Sequence, residues 1–442
     1  VSVSPPALPE VGAPTSKKHA VPGIFKILGP GIITGASDDD PAAIGTFAAV
    51  GASLGFATLW LPLLTLPLMA TVQFICAKIG LVTGHGIAGV VHKYYSRKLL
   101  YPVVAALFIA NTIGAGVDLG IMAAALNLII PIPAPVLVPI LTALILTALL
   151  FGSYKQITGV LKWLTLALFA YVAAALLSRP DWGEVLRATV LPSIHFDKAL
   201  IGAVVAILGA NISPYAFFWQ TETEAEERRQ HGEEQRPKGR ARRWRPRLTN
   251  DEIKYAAMDV NVGMFFANLA MYCIILAAAA TLHASGKTQI SSAADLADAL
   301  RPVAGDGARL LFAVGIVGSG LLAMPTLTGS AAYAVSQAFG WKYGLNRKPH
   351  QARQFYAVIV VAALIGMLIN FAGFNPVDAL VWASTLYGVL APLLLVVIML
   401  ISNNREIMGR RKNGRLLNIM GWTATIIMFA ASGALILTLL TP

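Results

Sequence analysis

A chain of 442 residues in which 56% are hydrophobic and only 13% charged, with a mean hydropathy of +0.67, is too apolar for a string of water-soluble domains. The formal charge of +12 does not mark a nucleic-acid binder, because the basic residues sit in short connections between apolar runs. Both cysteines, Cys76 and Cys273, lie inside such runs without metal-ligand or redox spacing, so they read as small buried hydrophobes.

Residues 1–24 are Pro-rich and hold no apolar core long enough for a signal peptide, and they are expected to form a disordered cytoplasmic tail. Eleven apolar runs follow, each near the roughly 20 residues that span a hydrocarbon core: 27–53, 55–82, 101–128, 134–152, 155–178, 199–221, 253–283, 308–339, 354–373, 378–402 and 416–440. With the N-terminus inside, most of the 34 Lys and Arg fall on the cytoplasmic side, against six in the opposite loops. That bias fits the positive-inside rule and puts the C-terminus of an eleven-span chain outside, in what is expected to be a bacterial inner membrane. The connection 222–252, an acidic block followed by a basic one, reads as a solvated cytoplasmic loop whose arginines fix topology. Lipid binding or regulation is the alternative there.

Two spans carry a proline in mid-course directly after a residue that caps helices. The first contains "GASDDDPAAIG" and the sixth "GANISPYAFFW". Proline removes a backbone donor and disfavours helix at the residue before it. Asp and Ser are good N-caps, and Pro suits the first helical position. Each span therefore reads as two half-helices, with Asp40 and Ser213 capping the second halves. The breaks open two blocks of five spans, and an odd number of spans makes the blocks inverted relative to each other, the arrangement that marks a transporter site near the bilayer midplane. A cap needs one carboxylate, but Asp38, Asp39 and Asp40 supply three, so at least one is expected to face a cavity and a hard cation.

"GPGIITGASDDDPAAIGTFAAVGASLGFATLW" resembles the first helix of the NRAMP metal-ion transporters, with their GPG start and DPGN motif, and "AILGANISPYAFFWQ" resembles their sixth, with its G-A-x-x-M-P-H motif. "MAAALNLI", "TLTGS" and "ISNNREIMG" are also similar to family segments. The resemblance runs from about residue 25 to 440. It implies an all-α polytopic membrane protein with a LeuT-like inverted repeat of 5+5 helices (25–178 and 199–402) plus an eleventh helix at 416–440. It also implies that Asp40 is the metal-binding aspartate, that the Ala210 carbonyl is a ligand, and that Ser213 stands in place of the ligand methionine. Ala42 and Ala43 replace the family's Gly-Asn, Tyr215 a histidine associated with proton movement, and Gln220 a second histidine. Asp118 matches an acidic residue of the proton path whose acidic partner is here Ala115, and Ser384 falls near a polar glutamine. "GANISPY" also differs from the sixth-helix motif of the NRAMP-related magnesium transporters, which likewise lack the methionine.

Oxygen donors alone favour Mg²⁺ or Mn²⁺ over softer ions, and the small replacements leave room for the waters that Mg²⁺ retains. Proton coupling is expected to be weak or absent. Asn211 is a candidate for the lost amide ligand. Asp38 and Asp39 are assigned to the vestibule or to coupling, as are Asp118, Gln220, Thr326 and Ser384. Asp118 is alternatively a hydrogen-bonded residue between packed helices, and Thr326 and its neighbours satisfy a kink at Pro325. Asp259 reads as a solvent-facing or loop-paired carboxylate. No nucleotide loop, zinc spacing or nucleophile elbow is present, so neither catalysis nor a cofactor is expected, and the partners are the lipid bilayer and the transported ion, with a single copy sufficient. The rival reading is a small-anion transporter, for example of bicarbonate, held between the positive ends of the half-helices. A non-transporting sensor using 222–252 as a partner surface is the third.

Overall fold

The computed structural model describes residues 29–152, 169–192, 198–234 and 248–440. The expected tail and most of the expected span 155–178 lie outside the described residues. Among the described residues the regular elements are all helical. The main ones are α1 (Pro30–Asp38), α2 (Pro41–Leu54), α3 (Leu61–Thr83), α4 (Ile87–Tyr94), α5 (Arg97–Asn127), α6 (Ala134–Phe151), α7 (Phe169–Leu177) and α8 (Trp182–Val190). They continue with α9 (Lys198–Asn211), α10 (Pro214–Glu234), α11 (Asn250–Ala278), α12 (Ala308–Ala338), α13 (Arg353–Ile369), α14 (Pro376–Asn403) and α15 (Arg415–Leu440). Nine helical segments among the described residues are long and apolar enough to cross a membrane, and α13 is apolar but shorter.

Both expected breaks are present. The chain leaves helical geometry between α1 and α2 at Asp39 and Asp40, and again between α9 and α10 at Ile212 and Ser213. The Asp40 carboxylate accepts from the Ala43 amide at 2.7 Å, so it caps α2 as expected. The Ser213 hydroxyl donates to Asp38 across the two breaks at 2.5 Å, a charge-assisted bond that leaves its oxygen free to accept. Pro325 lies inside α12 without breaking it, and Thr326 and Thr328 donate to the carbonyls of Ala323 and Met324 in the same helix.

Helices around the breaks approach closely at glycines. A Cβ on Gly209 of α9 meets the Ser384 carbonyl and the Gly388 backbone of α14. Gly35 of α1 faces the Gly263 backbone of α11 in the same way. Small residues at such crossings let two backbones pack without side chains between them.

Two polar features depart from the sequence reading. Helix α10 continues to Glu234, so residues 222–234 are helical where a solvated loop was expected, and Glu222 and Glu224 are buried. These carboxylates have partners: Glu222 pairs with Arg229 at 2.7 Å, and Glu224 accepts from Gln220 at 3.0 Å. Asp259 is also buried rather than solvent-facing. It accepts from the amides of Gly29 (3.2 Å) and Gly31 (2.5 Å), two of the orphan donors at the start of α1.

Outside the spans, Lys287 bridges Asp295 at 2.6 Å and Asp298 at 3.0 Å. Burial raises the Asp295 pKa, but the Lys287 ammonium and the donors of Ser291 and Ser292 outweigh it, and the carboxyl ends well below the usual range. A depressed folded-state pKa contributes stability above the unfolded value of about 3.9 and loses it as pH falls through the folded value. Thermal unfolding of wild type and Asp295→Asn is therefore expected to differ at pH 6 and to draw together only as pH falls from about 3.9 down through the depressed folded-state value.

Candidate ion site at two helix breaks

The sequence itself frees the carbonyls at each break. A helical carbonyl accepts from the amide four residues on. For Ser37 that residue is Pro41, and for Ala210 it is Pro214. Proline has no N–H, so both carbonyl oxygens lack their helical donor.

Around the first break the side chains converge from three helices. Asp38, Asp39 and Asp40 are 2%, 5% and 4% exposed, and Asp118 is fully buried. Asp38 accepts from Ser213. Asp40 uses one oxygen for the Ala43 amide, while its other oxygen and the Ser37 carbonyl both accept from the Tyr215 hydroxyl, at 3.0 and 3.2 Å. Asp118 reaches in from α5, one oxygen accepting from the Ala42 amide at 3.0 Å and the other buried with no hydrogen-bond partner. Asp39 accepts no hydrogen bond among the described residues. These positions are strongly polar and nearly dry, an arrangement that lone carboxylates in a membrane protein do not adopt without a partner.

The other expected site residues fall around this centre. Asn211 closes α9 with its amide 3.6 Å from the Met271 sulfur and its carbonyl oxygen buried without a partner. Ser384 of α14 shares a hydrogen bond with Thr46 of α2 at 2.9 Å, and both are buried. Gln220 lies further along α10, where it accepts from Thr34 of α1 at 2.6 Å. The Thr326 hydroxyl is occupied within its own helix. Met271 was missed in the sequence reading, because a methionine in an apolar run carries no signal of its own.

Among the described residues, no three His, Cys, Asp or Glu side chains come close enough together to hold a metal ion by themselves. The oxygens here are of mixed kind, a backbone carbonyl and carboxylates as acceptors and two hydroxyls as donors, drawn from three chain segments.

The profile of the "Natural resistance-associated macrophage protein-like" family matches residues 31–438. This chain belongs to that family. It is 26% identical over 430 residues to the divalent metal cation transporter MntH of Verminephrobacter eiseniae, covering 94% of this chain and 89% of that one. Its fold is similar to that of the Eremococcus coleocola manganese transporter, with a TM-score of 0.72 at 18% identity over 93% of this chain and 87% of that chain. The fold also matches MhsT in complex with L-phenylalanine, with a TM-score of 0.59 at 15% identity over 91% and 98%. As a family member, the chain is an all-α polytopic membrane protein of LeuT-like architecture, with helices 1 and 6 of the inverted repeat broken as the prolines require.

Proposed function

We propose that this chain is a secondary transporter that carries a hard divalent cation, Mg²⁺ or Mn²⁺, into the cytoplasm by alternating access. The observation that carries the reading is the gathering of oxygen acceptors at the first break. Asp40, Asp38, Asp118 and the Ser37 carbonyl are all buried or bonded at the first break, through Tyr215, Ser213 and the amides of Ala42 and Ala43. The metal transporters among its relatives add support. Asp40 binds the ion directly, the Ala210 carbonyl and Ser213 contribute further oxygens, and Ala43, Asn211 and Tyr215 line the same place. Ser213 donates through its hydrogen to Asp38 and keeps its oxygen lone pairs for a cation. Because the carboxylates do not enclose an ion alone, retained water completes its shell, which suits Mg²⁺ more than a fully dehydrated soft metal.

The anion reading needs a vacant helix N-terminus. At α2 the amides of Ala42 and Ala43 already donate to Asp118 and Asp40, the chain's own anions. That disfavours bicarbonate at this position.

Proton coupling is weak or absent in this reading, and the N-terminus faces the cytoplasm, as the loop charges favour. The deciding experiment is Mn²⁺ influx into proteoliposomes with Mg²⁺ as competitor, run with and without an imposed pH gradient. Uptake that Mg²⁺ inhibits and the gradient leaves unchanged is the expected result. Folded protein that moves neither ion, but takes up labelled bicarbonate, reverses the reading.

A further inference from the structure

Tyr215 occupies an unusual position between the two breaks. Its hydroxyl is within 3.2 Å of the Ser37 carbonyl and 3.0 Å of Asp40 Oδ2, acceptors that stand on opposite sides of the first break. The ring is 1% exposed and meets Tyr387 edge-on at 5.7 Å between centroids, while the Tyr387 hydroxyl donates elsewhere, to the Ala110 carbonyl of α5. Tyr215 is therefore held firmly, and one proton on its oxygen serves two acceptors.

Those acceptors are the ones a cation requires. The Ser37 carbonyl has no helical donor, because Pro41 stands where that donor belongs. Asp40 Oδ2 is the oxygen left over after Oδ1 has capped α2. An ion that bridges both oxygens needs the place between them where the phenol hydrogen now stands, so ion and hydroxyl compete for that position although each oxygen keeps a further lone pair.

We propose that Tyr215 is a resident competitor for the transported ion: its hydroxyl occupies the Ser37 and Asp40 oxygens in the empty carrier and yields them when the ion loads. The proposal rests on the break being the ion site and assigns this chain's own threshold for loading it. The same hydroxyl joins the end of α1 to the start of α2, so it also fastens the empty site in one shape. Removing it leaves a buried carboxylate oxygen unsatisfied until a cation arrives. Binding then tightens, and the empty carrier resets more slowly.

The test is calorimetric titration of Mn²⁺ into the purified full chain in detergent, comparing wild type, Tyr215→Phe, Tyr215→Leu and Tyr387→Phe. A hydrogen bond to a charged group corresponds to roughly a ten- to hundred-fold change in a binding constant. Tyr215→Phe is expected to bind Mn²⁺ about ten-fold tighter, Tyr215→Leu to shift in the same direction, and Tyr387→Phe to match wild type. In proteoliposomes Tyr215→Phe is expected to lower KM without raising the maximal rate, a split that mere loss of packing does not produce. Unchanged or weaker binding by both Tyr215 variants, at wild-type thermal stability, overturns the proposal. If wild type also binds neither Mn²⁺ nor Mg²⁺, the ion-site reading falls with it, and the silent wild type tells the two failures apart.

Discussion

Asp40→Asn is expected to leave the protein folded and to weaken Mn²⁺ binding by about 100-fold or more. Two roles meet in this one carboxylate, and the substitution separates them. Asparagine is as good an N-cap as aspartate, so the bond from the Ala43 amide survives and α2 keeps its start. What disappears is the charge. Losing one partner of a buried charge interaction costs about 3 kcal/mol or more, which is two powers of ten in affinity. The neighbouring carboxylates give a graded comparison. Asp118→Asn retains an oxygen for the Ala42 amide and loses charge one position further out, so a smaller loss, on the order of ten-fold, is expected. Calorimetric titration of the purified variants measures all of this directly. Wild-type affinity in Asp40→Asn moves the ion away from the first break, and a loss in Asp118→Asn that exceeds it makes α5 the principal wall of the site.

The breaks, and the acid at one of them, were legible in the sequence because each proline follows a residue with helix-capping chemistry, which Pro325 inside α12 does not. The same two prolines also name the free carbonyls, by counting back four residues to Ser37 and Ala210, a signal the sequence reading did not use. What it lacked was pairing between distant segments. Asp118 and Asp40 are far apart in sequence, and only the packing of α5 against α2 brings the Asp118 carboxylate to the Ala42 amide. Ser213 reads as a cap from its neighbours alone, and only the fold shows that its hydroxyl donates to Asp38 across the breaks. Asp259 reads as a surface residue because it lies near the end of a span, where burial depends on a neighbour that the sequence does not name. Charge runs mislead in the same manner. "ETEAEERR" has the composition of a solvated segment, and composition cannot reveal that one face of it lies against α12.

That face carries the second large expected effect. Arg229→Ala is expected to lower stability by on the order of 3 kcal/mol, because it strands Glu222 in the interior. Glu222 is 1% exposed, and its partners are the Arg229 guanidinium at 2.7 Å and the Gln337 amide of α12. The guanidinium does more than balance charge: it also donates to the Gly84 carbonyl at 3.1 Å and to the Tyr343 hydroxyl at 3.3 Å. One turn away, Glu226 accepts from Tyr333 of α12 and from Asn346. The far end of α10 is thus tied to α12 and to the turns on either side, while its near end carries Ser213 and Tyr215 beside the break. Thermal unfolding in detergent reads the cost. The double variant Glu222→Leu with Arg229→Met removes both charges and keeps the volume, so it is expected to recover most of the loss seen in Arg229→Ala. Such recovery assigns the loss to an unpaired buried charge. A double variant as unstable as the single assigns it instead to the Gly84 and Tyr343 contacts, which methionine cannot make. In either case the acidic and basic residues at 222–229 anchor α10, the helix that carries Tyr215 beside the break.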